Sequence, residues 1–169
     1  MAAPSIETLA DEAQLWVYVA DRTLSDAELE TLDEFLERFL DQWSSHGRTV
    51  EGAFEIRDRR ILLLAGHIAD AEISGCGIDE SVRTIDRIAE EMGFSWLPGL
   101  NVFYRDAEGE VVATDRGSFQ ELAEQGEITG ETSVFDPTID TLEALREDGL
   151  ERPARSSWHA SVFPIGEPA

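Results

Sequence analysis

The only cysteine of the chain, Cys76, stands between two glycines immediately before a segment of helical periodicity. A helix N-terminus favours the thiolate form of cysteine, and flanking glycines let a ligand approach the backbone closely. A thiolate with a nearby base is the usual arrangement for nucleophilic or redox chemistry. Cys76 is therefore a candidate catalytic residue, with His67 and Asp79 as its candidate partners.

An alternative interpretation of the same stretch is a structural turn. Acidic residues precede and follow Cys76, and their negative charge disfavours a thiolate. A buried cysteine also behaves as a small apolar residue. These observations favour the structural turn, and the sequence alone leaves both interpretations open.

Motifs for other catalytic chemistries are missing from the sequence. The chain contains no lysine, which excludes a P-loop of the type GxxxxGK[ST], and neither GxSxG nor HExxH occurs. A single cysteine excludes an intramolecular disulfide and a zinc site built from cysteines alone. No cofactor is therefore predicted.

Net charge is the strongest compositional signal. The chain has 36 acidic and 13 basic residues, a net charge of −23, and every basic residue is arginine. This charge repels phosphate groups, so neither nucleic acid nor an anionic membrane is an expected partner. Self-repulsion should destabilise the fold in dilute buffer, whereas molar salt shortens the screening length to roughly 3 Å. With no signal-peptide pattern and no membrane-spanning apolar run, the sequence predicts a cytoplasmic protein adapted to high salt.

Hydrophobic patterning predicts a small N-terminal sheet. Residues 15–20 and 61–68 are unbroken apolar runs typical of inner strands, whereas residues 49–56 alternate as an edge strand does. Residues 101–104 form the next predicted strand. With a helix after the first strand and another after the third, the order is βαββαβ. Right-handed crossovers then give a ferredoxin-like α+β domain over residues 1–98.

Helix boundaries are signalled locally. Ser25 and Glu28 form a capping box at the start of the first helix, and Gly47 is predicted to end it. Apolar residues at spacings of three and four predict a second helix over residues 78–92, which Gly93 stops.

This topology gathers polar residues at one end of the domain. His46, in the predicted last turn of the first helix, is expected near His67, Cys76 and Asp79. The spacing of these four matches no metal-binding motif, so no metal site is predicted. The exposed second strand would be able to pair across a two-fold axis, which would give a homodimer.

Residues 99–160 are predicted to form a smaller unit, packed on the first or continuing it. A hairpin turns at residues 107–109, a short helix covers residues 118–125, and a strand lies near residues 132–135. Residues 161–169 are expected to be a tail.

The pattern LWVYVADRTL…FLDQWSSHG…GCGIDESV…EQGEITGETSVFD…SW resembles a small uncharacterised bacterial protein family, over nearly the whole chain. Some members carry the label "ABC transporter ATPase", which does not fit a chain without a nucleotide-binding motif. The resemblance implies no particular chemistry. It does imply that the turn at residues 76–79 and the corner at residues 43–47 belong to the family pattern.

Residues 101–158 resemble GYF-like modules, which run from an aromatic strand through a hairpin to the pattern f.eL…G.I…T.Vf and a closing tryptophan. The matching residues are Phe103, Tyr104, Phe119, Leu122, Gly126, Ile128, Thr132, Val134, Phe135 and Trp158. The Gly-Pro that usually follows the hairpin is replaced by VVATDRG. Related modules bind proline-rich peptides through exposed aromatic side chains. The resemblance therefore implies that Phe103, Tyr104 and Trp158 contact a protein or peptide partner.

Two functions are expected from these observations. The first is that of a non-catalytic α+β interaction protein that binds a protein or peptide. The alternative is a small thiol-dependent enzyme or redox protein that uses Cys76. A pocket beside Cys76 with a histidine in hydrogen-bond reach would favour the enzyme, and exposed aromatic residues without such a pocket would favour binding.

Overall fold

The structure is a computed structural model with antiparallel sheets and helices, and the predicted α+β class is confirmed. It describes residues 6–45, 47–69, 72–98 and 101–165. None of the helices within these segments is long and apolar enough to cross a lipid bilayer.

The chain divides into two compact units. The first comprises the residues up to Leu97 together with Ile139–Arg146, and the second comprises Pro98–Thr138 and the chain from Glu147 onward. The return of Ile139–Arg146 to the first unit differs from the expectation that residues 99–160 form one C-terminal unit.

Backbone hydrogen bonds explain this return. The N–H of Leu15 donates to the carbonyl oxygen of Asp140 at 2.9 Å, and the N–H of Leu142 donates to that of Ala13 at 3.1 Å. The returning segment therefore continues the hydrogen bonding at the start of the first strand. Such pairing between distant parts of the chain leaves no local signal in the sequence.

In the sheet of the first unit, residues 61–67 and 51–57 take the predicted inner and edge positions, but residues 14–19, predicted as an inner strand, lie at the other edge. The strands of this unit are β1 Gln14–Val19, β2 Ser44–Ser45, β3 Arg48–Thr49, β4 Glu51–Arg57 and β5 Ile61–His67. The antiparallel order β1-β5-β4 places β5 in the centre and β4 at an edge, as the hydrophobic patterns predict. Strands β2 and β3 form a separate two-stranded hairpin with Gly47 at its turn.

The two long helices of the first unit are α1, Asp26–Gln42, and α2, Gly75–Met92. The predicted capping box is confirmed: the N–H of Glu28 donates to Ser25 Oγ at 3.2 Å, and the N–H of Ser25 donates to Glu28 Oε1 at 3.0 Å. Gly93 ends α2 in the left-handed conformation, with φ of 82°. Helix α1, however, ends at Gln42, so its predicted end at Gly47 is wrong.

Trp43 accounts for the early end of α1. Its backbone is extended, and its ring is 1% exposed. The ring lies against Gly52 and Gly66, and a Cβ on Gly66 would be only 2.5 Å from Trp43 Cη2. The chain leaves the helix where this ring turns into the core. The predicted position of His46 in the last turn lies outside the described residues.

Both helices pack on one face of the sheet. One cluster of buried side chains joins α1, α2, β5 and the chain around them. Its members are Ala20, Leu24, Leu32, Leu36, Phe39, Leu40, Trp43, Val50, Leu62, Leu64, Ile68, Ile73, Ile85, Ile88, Ala89 and Phe94. The intervening residues of β5, Ile61, Leu63 and Ala65, are fully buried as well, so both faces of the central strand are covered.

The predicted fourth strand does not join this sheet. Residues 102–105 pair instead with two strands of the second unit. At the free edge of β1, Ala20 forms an isolated bridge with Trp96, and the N–H of Leu97 donates to the carbonyl oxygen of Val19 at 2.8 Å. A short extended segment therefore lies where the fourth strand is expected.

The second unit is built on its own four-stranded antiparallel sheet of order β7-β6-β8-β9. The elements of this part of the chain are β6 Val102–Arg105, β7 Val111–Thr114, α3 Arg116–Glu124, β8 Ser133–Phe135, α4 Leu142–Asp148, β9 Glu151–Pro153 and α5 His159–Val162. Helix α4 begins in the segment Ile139–Arg146 that returns to the first unit. The hairpin β6–β7, the short helix and the strand β8 lie where the sequence predicts them. The buried cluster of the second unit is Val102, Phe119, Ala123, Ile128, Val134, Ala154 and Phe163.

Candidate functional site

Cys76 is an exposed free thiol in the first turn of α2. The side chain of Ser74 caps this turn by accepting a hydrogen bond from the N–H of Gly77 at 3.2 Å. The buried indole of Trp43 donates through Nε1 to the carbonyl oxygen of Gly77 at 3.0 Å. The Gly-Cys-Gly stretch therefore forms the first turn of a helix and provides the hydrogen-bond acceptor for Trp43.

The three predicted catalytic residues form no hydrogen-bonded group within the described chain. His67 ends β5, where it is half-buried opposite Glu51. Asp79 is exposed, and its backbone oxygen accepts from Arg83 Nε at 3.3 Å. Across the described segments, no hydrogen bond joins Cys76, His67 and Asp79, and no group of three His, Cys, Asp or Glu side chains is arranged to hold a metal ion.

The three predicted partner-binding aromatic residues also lie in different environments. Phe103 is 2% exposed, whereas the resemblance implies that it contacts a partner. Consecutive residues of a strand point to opposite faces, so Phe103 and Tyr104 cannot share one surface. Trp158 is half-buried, donates through Nε1 to Asp136 Oδ1 at 3.1 Å and stacks on His159 with ring centroids 3.8 Å apart. Trp158 is thus held in place by contacts within the unit. Of the three aromatic residues, Tyr104 is left as the candidate contact for a partner.

Tyr104 lines an open groove of about 700 Å³ in the second unit. Three parts of that unit form its walls: the β6–β7 hairpin, the end of α3 with the turn that follows, and the segment that leads into β8. The lining residues are Tyr104, Arg105, Asp106, Ala107, Glu108, Leu122, Glu127, Ile128, Thr129, Glu131, Thr132 and Ser133.

The apolar part of the groove belongs to the core of the unit. Tyr104 and Leu122 are half-buried and pack against the cluster that contains Ile128. The ring of Tyr104 meets that of Phe119 edge to face, with centroids 5.8 Å apart. The apolar surface is therefore held in place by core packing, and a ligand would not have to order it.

Hydrogen-bonded turns hold the charged rim. Asp106 Oδ1 accepts from the N–H groups of Glu108 and Glu110 at 2.9 Å each, which closes the β6–β7 hairpin. On the other side, Gly126 ends α3 in the left-handed conformation, and the N–H of Glu127 donates to the carbonyl oxygen of Leu122 at 3.0 Å. The carboxylates of the rim are thus attached to well-defined backbone.

The rim has an excess of negative charge. Arg105 forms a two-pronged ion pair with Glu151 at 2.8 and 2.9 Å, and Glu131 pairs with Arg155. The other three lining carboxylates, those of Asp106, Glu108 and Glu127, form no ion pair with any described arginine. Burial raises the pKa of Tyr104, and the negative charges of Asp106 and Glu127 raise it further.

A buried polar cluster lies in the same unit and was not predicted. Asp136 is 5% exposed and accepts hydrogen bonds from Arg152 Nη2 at 2.6 Å, from the Trp158 indole and from the N–H of Thr138 at 3.0 Å. Burial opposes its ionisation, but these bonds and the arginine outweigh burial and lower the pKa of Asp136. His159, stacked on Trp158, is fully buried. No spacing rule in the sequence joins these positions, because they come from three separate stretches of the chain, at residues 136–138, 152 and 158–159.

A smaller groove of about 330 Å³ lies between α1 and α2 in the first unit. Phe35, Phe39 and Ile88 provide its apolar side chains. Arginines and glutamates both line it, so its charge favours no class of ligand.

Comparisons of the chain with protein-family models, with curated proteins and with solved structures found no match. The candidate site therefore rests on the geometry and charge of the groove beside Tyr104.

Proposed function

We propose that the protein is a non-catalytic interaction protein of a salt-rich cytoplasm that binds a protein or peptide segment in the groove beside Tyr104. The observation that carries this proposal is an open groove of about 700 Å³ whose apolar side chains are fixed by core packing. Pre-ordered apolar surface between polar walls is the usual form of a binding site.

The position of the reactive groups supports binding rather than thiol chemistry. The lining of the groove includes neither Cys76 nor either histidine of the described chain. Cys76 lies in the other unit, on an exposed helix turn. The thiol-dependent alternative draws support only from the exposure of Cys76.

Two finer fold assignments accompany the proposal. Three antiparallel strands with two helices on one face support a ferredoxin-like first unit. The order of hairpin, helix and strand over residues 102–135 supports a GYF-like second unit. In that arrangement Tyr104 is the aromatic side chain that meets the partner.

Selection from a random library of short peptides, carried out on the full chain in molar KCl, tests the proposal. Ser133 lies in β8, is half-buried and lines the groove, so Ser133→Tyr should fill the groove from a strand that tolerates aromatic residues. Gln120→Tyr places the same side chain on the exposed face of α3, away from the groove, and is the matched control.

The expected result is a set of peptides that bind the wild-type chain and the Gln120→Tyr variant equally and lose binding to Ser133→Tyr. Peptides that bind all three proteins equally would place the interaction elsewhere. A selection that enriches no peptide would overturn the proposal.

A further inference from the structure

The groove beside Tyr104 has unbalanced charge within a small space. Asp106 and Glu108 sit on the hairpin side, and Glu127 faces them from the turn after α3. Arg105 is already engaged by Glu151. The charges that remain to meet a ligand are therefore negative.

The aromatic ring lies within this negative environment. Asp106 and Glu127 line the same groove as Tyr104, and their negative charges raise the pKa of its phenol. The face of an aromatic ring attracts cations, and the attraction grows when water is partly excluded. A ring flanked by carboxylates and half-buried in a groove thus combines the two features that recognise an organic cation.

From this geometry we propose that the partner segment inserts an arginine or lysine side chain over Tyr104, between Asp106 and Glu127, and lays an adjacent apolar side chain on Leu122. This inference rests on the proposed function and specifies its partner: a basic, partly apolar segment of another protein.

Charge complementarity excludes the other classes of segment. An acidic segment would be repelled by the three carboxylates of the rim that form no ion pair with a described arginine. A neutral apolar segment would cover these carboxylates without pairing them, which costs binding free energy. The stem of an arginine or lysine lies along apolar surface while its charged head meets the carboxylates, so one side chain satisfies both parts of the groove.

Titration of the full chain with three capped tripeptides, followed by NMR, tests this inference. The probes are acetyl-Leu-Arg-Leu-amide, the same peptide with citrulline, and the same peptide with glutamate. Citrulline keeps the shape of arginine and removes its charge. Spermidine is a fourth probe, because a free polyamine offers the same charge without the apolar side chains.

Two double variants show whether the rim carboxylates carry the preference. Asp106→Asn with Glu127→Gln removes two charges from the rim, and the asparagine still accepts the hydrogen bonds that close the hairpin. Glu121→Gln with Glu124→Gln removes two charges from the exposed face of α3 and is the matched control.

The arginine peptide should shift the amide signals of Tyr104 and Ile128 and bind about tenfold more tightly than the citrulline peptide. The rim variant should abolish this preference, and the control should keep it. Equal binding of the arginine and citrulline peptides in the groove would overturn the inference and leave the proposed function intact. Binding of spermidine that is tighter than binding of the arginine peptide, or no binding of any probe, would also overturn the inference. The peptide selection tests the proposed function separately.

Discussion

Acid should destabilise the second unit through one buried histidine. His159 is fully buried, its Nδ1 shares a hydrogen bond with Ser157 Oγ at 2.7 Å, and its Nε2 has no partner within the described chain. A protonated imidazole needs a hydrogen-bond acceptor at both nitrogens. The folded unit therefore favours the neutral ring.

The pKa of His159 follows from this environment. Burial lowers it from 6.5 to about 4; the negative charge of Asp136 opposes the shift, and the charges of Arg152 and Arg116 add to it. These are the charged groups that act on the ring. Because the folded-state pKa is depressed, the unfolded chain takes up the proton first as the pH falls. The stability contributed by the neutral ring is complete above pH 6.5 and is lost between pH 6.5 and about 4.

The magnitude of this loss comes from the two pKa values. One proton changes the free energy of unfolding by at most about 1.4 kcal/mol per pH unit. Over the two pH units below 6.5, the wild-type unit should lose about 2 kcal/mol of stability. The pKa of Asp136 is also lowered, but its contribution is lost below the ordinary aspartate value of 3.8, outside this window.

Urea unfolding in molar KCl, followed at NMR signals of the second unit as a function of pH, measures the effect. The His159→Asn variant keeps a polar atom near Ser157 and removes the titration, so the difference between the two proteins cancels the contribution of the surface carboxylates. The two curves should run parallel above pH 6.5 and diverge below it. Parallel curves down to pH 4.5, or an NMR-determined pKa of His159 near 6.5, would show that the folded unit does not favour the neutral ring of His159.

Three further results are expected. The melting temperature should rise from low to molar KCl, because salt screens the net charge of −23, and a flat profile would contradict the high-salt assignment. Gly66→Ala should destabilise the first unit by about 2 kcal/mol because its Cβ would overlap the Trp43 ring, whereas Gly75→Ala, which meets no atom within 4 Å, should leave urea unfolding unchanged. Cys76→Ser should not change stability, and the exposed native thiol should react fully with Ellman's reagent; a thiol protected until unfolding would show that Cys76 is not exposed.

Local signals in the sequence predicted the elements well. The capping box at Ser25 and the left-handed end at Gly93 are set by neighbouring residues, so a short stretch contains all the information they need. Burial on both faces made β5 an unbroken apolar run, which predicted it as an inner strand, whereas the similar run in β1 belongs to an edge strand.

Long-range contacts explain the errors. Helix α1 ends at Gln42 because the Trp43 ring turns toward two glycines that lie far along the chain. Strand β6 was predicted as the fourth strand of the first sheet, but its local pattern does not identify its partners, and it joins the second sheet. Pairing of distant segments is set by tertiary packing and cannot be deduced from periodicity.

The candidate site was predicted in part. Tyr104 was identified through the resemblance to GYF-like modules and lines the groove. Phe103 is its neighbour on a strand and therefore faces the other way, and Trp158 is held by Asp136. The rim carboxylates were not predicted, because a chain with 36 acidic residues gives no reason to single out three of them.

An NMR map of where a selected peptide binds on the full chain shows directly whether the groove beside Tyr104 is the binding site. Binding in the groove should concentrate the signal changes at Tyr104, Leu122, Ile128 and Ser133, and these changes should disappear in the Ser133→Tyr variant. Signal changes centred on Cys76, or ones that persist unchanged in that variant, would contradict binding in the groove.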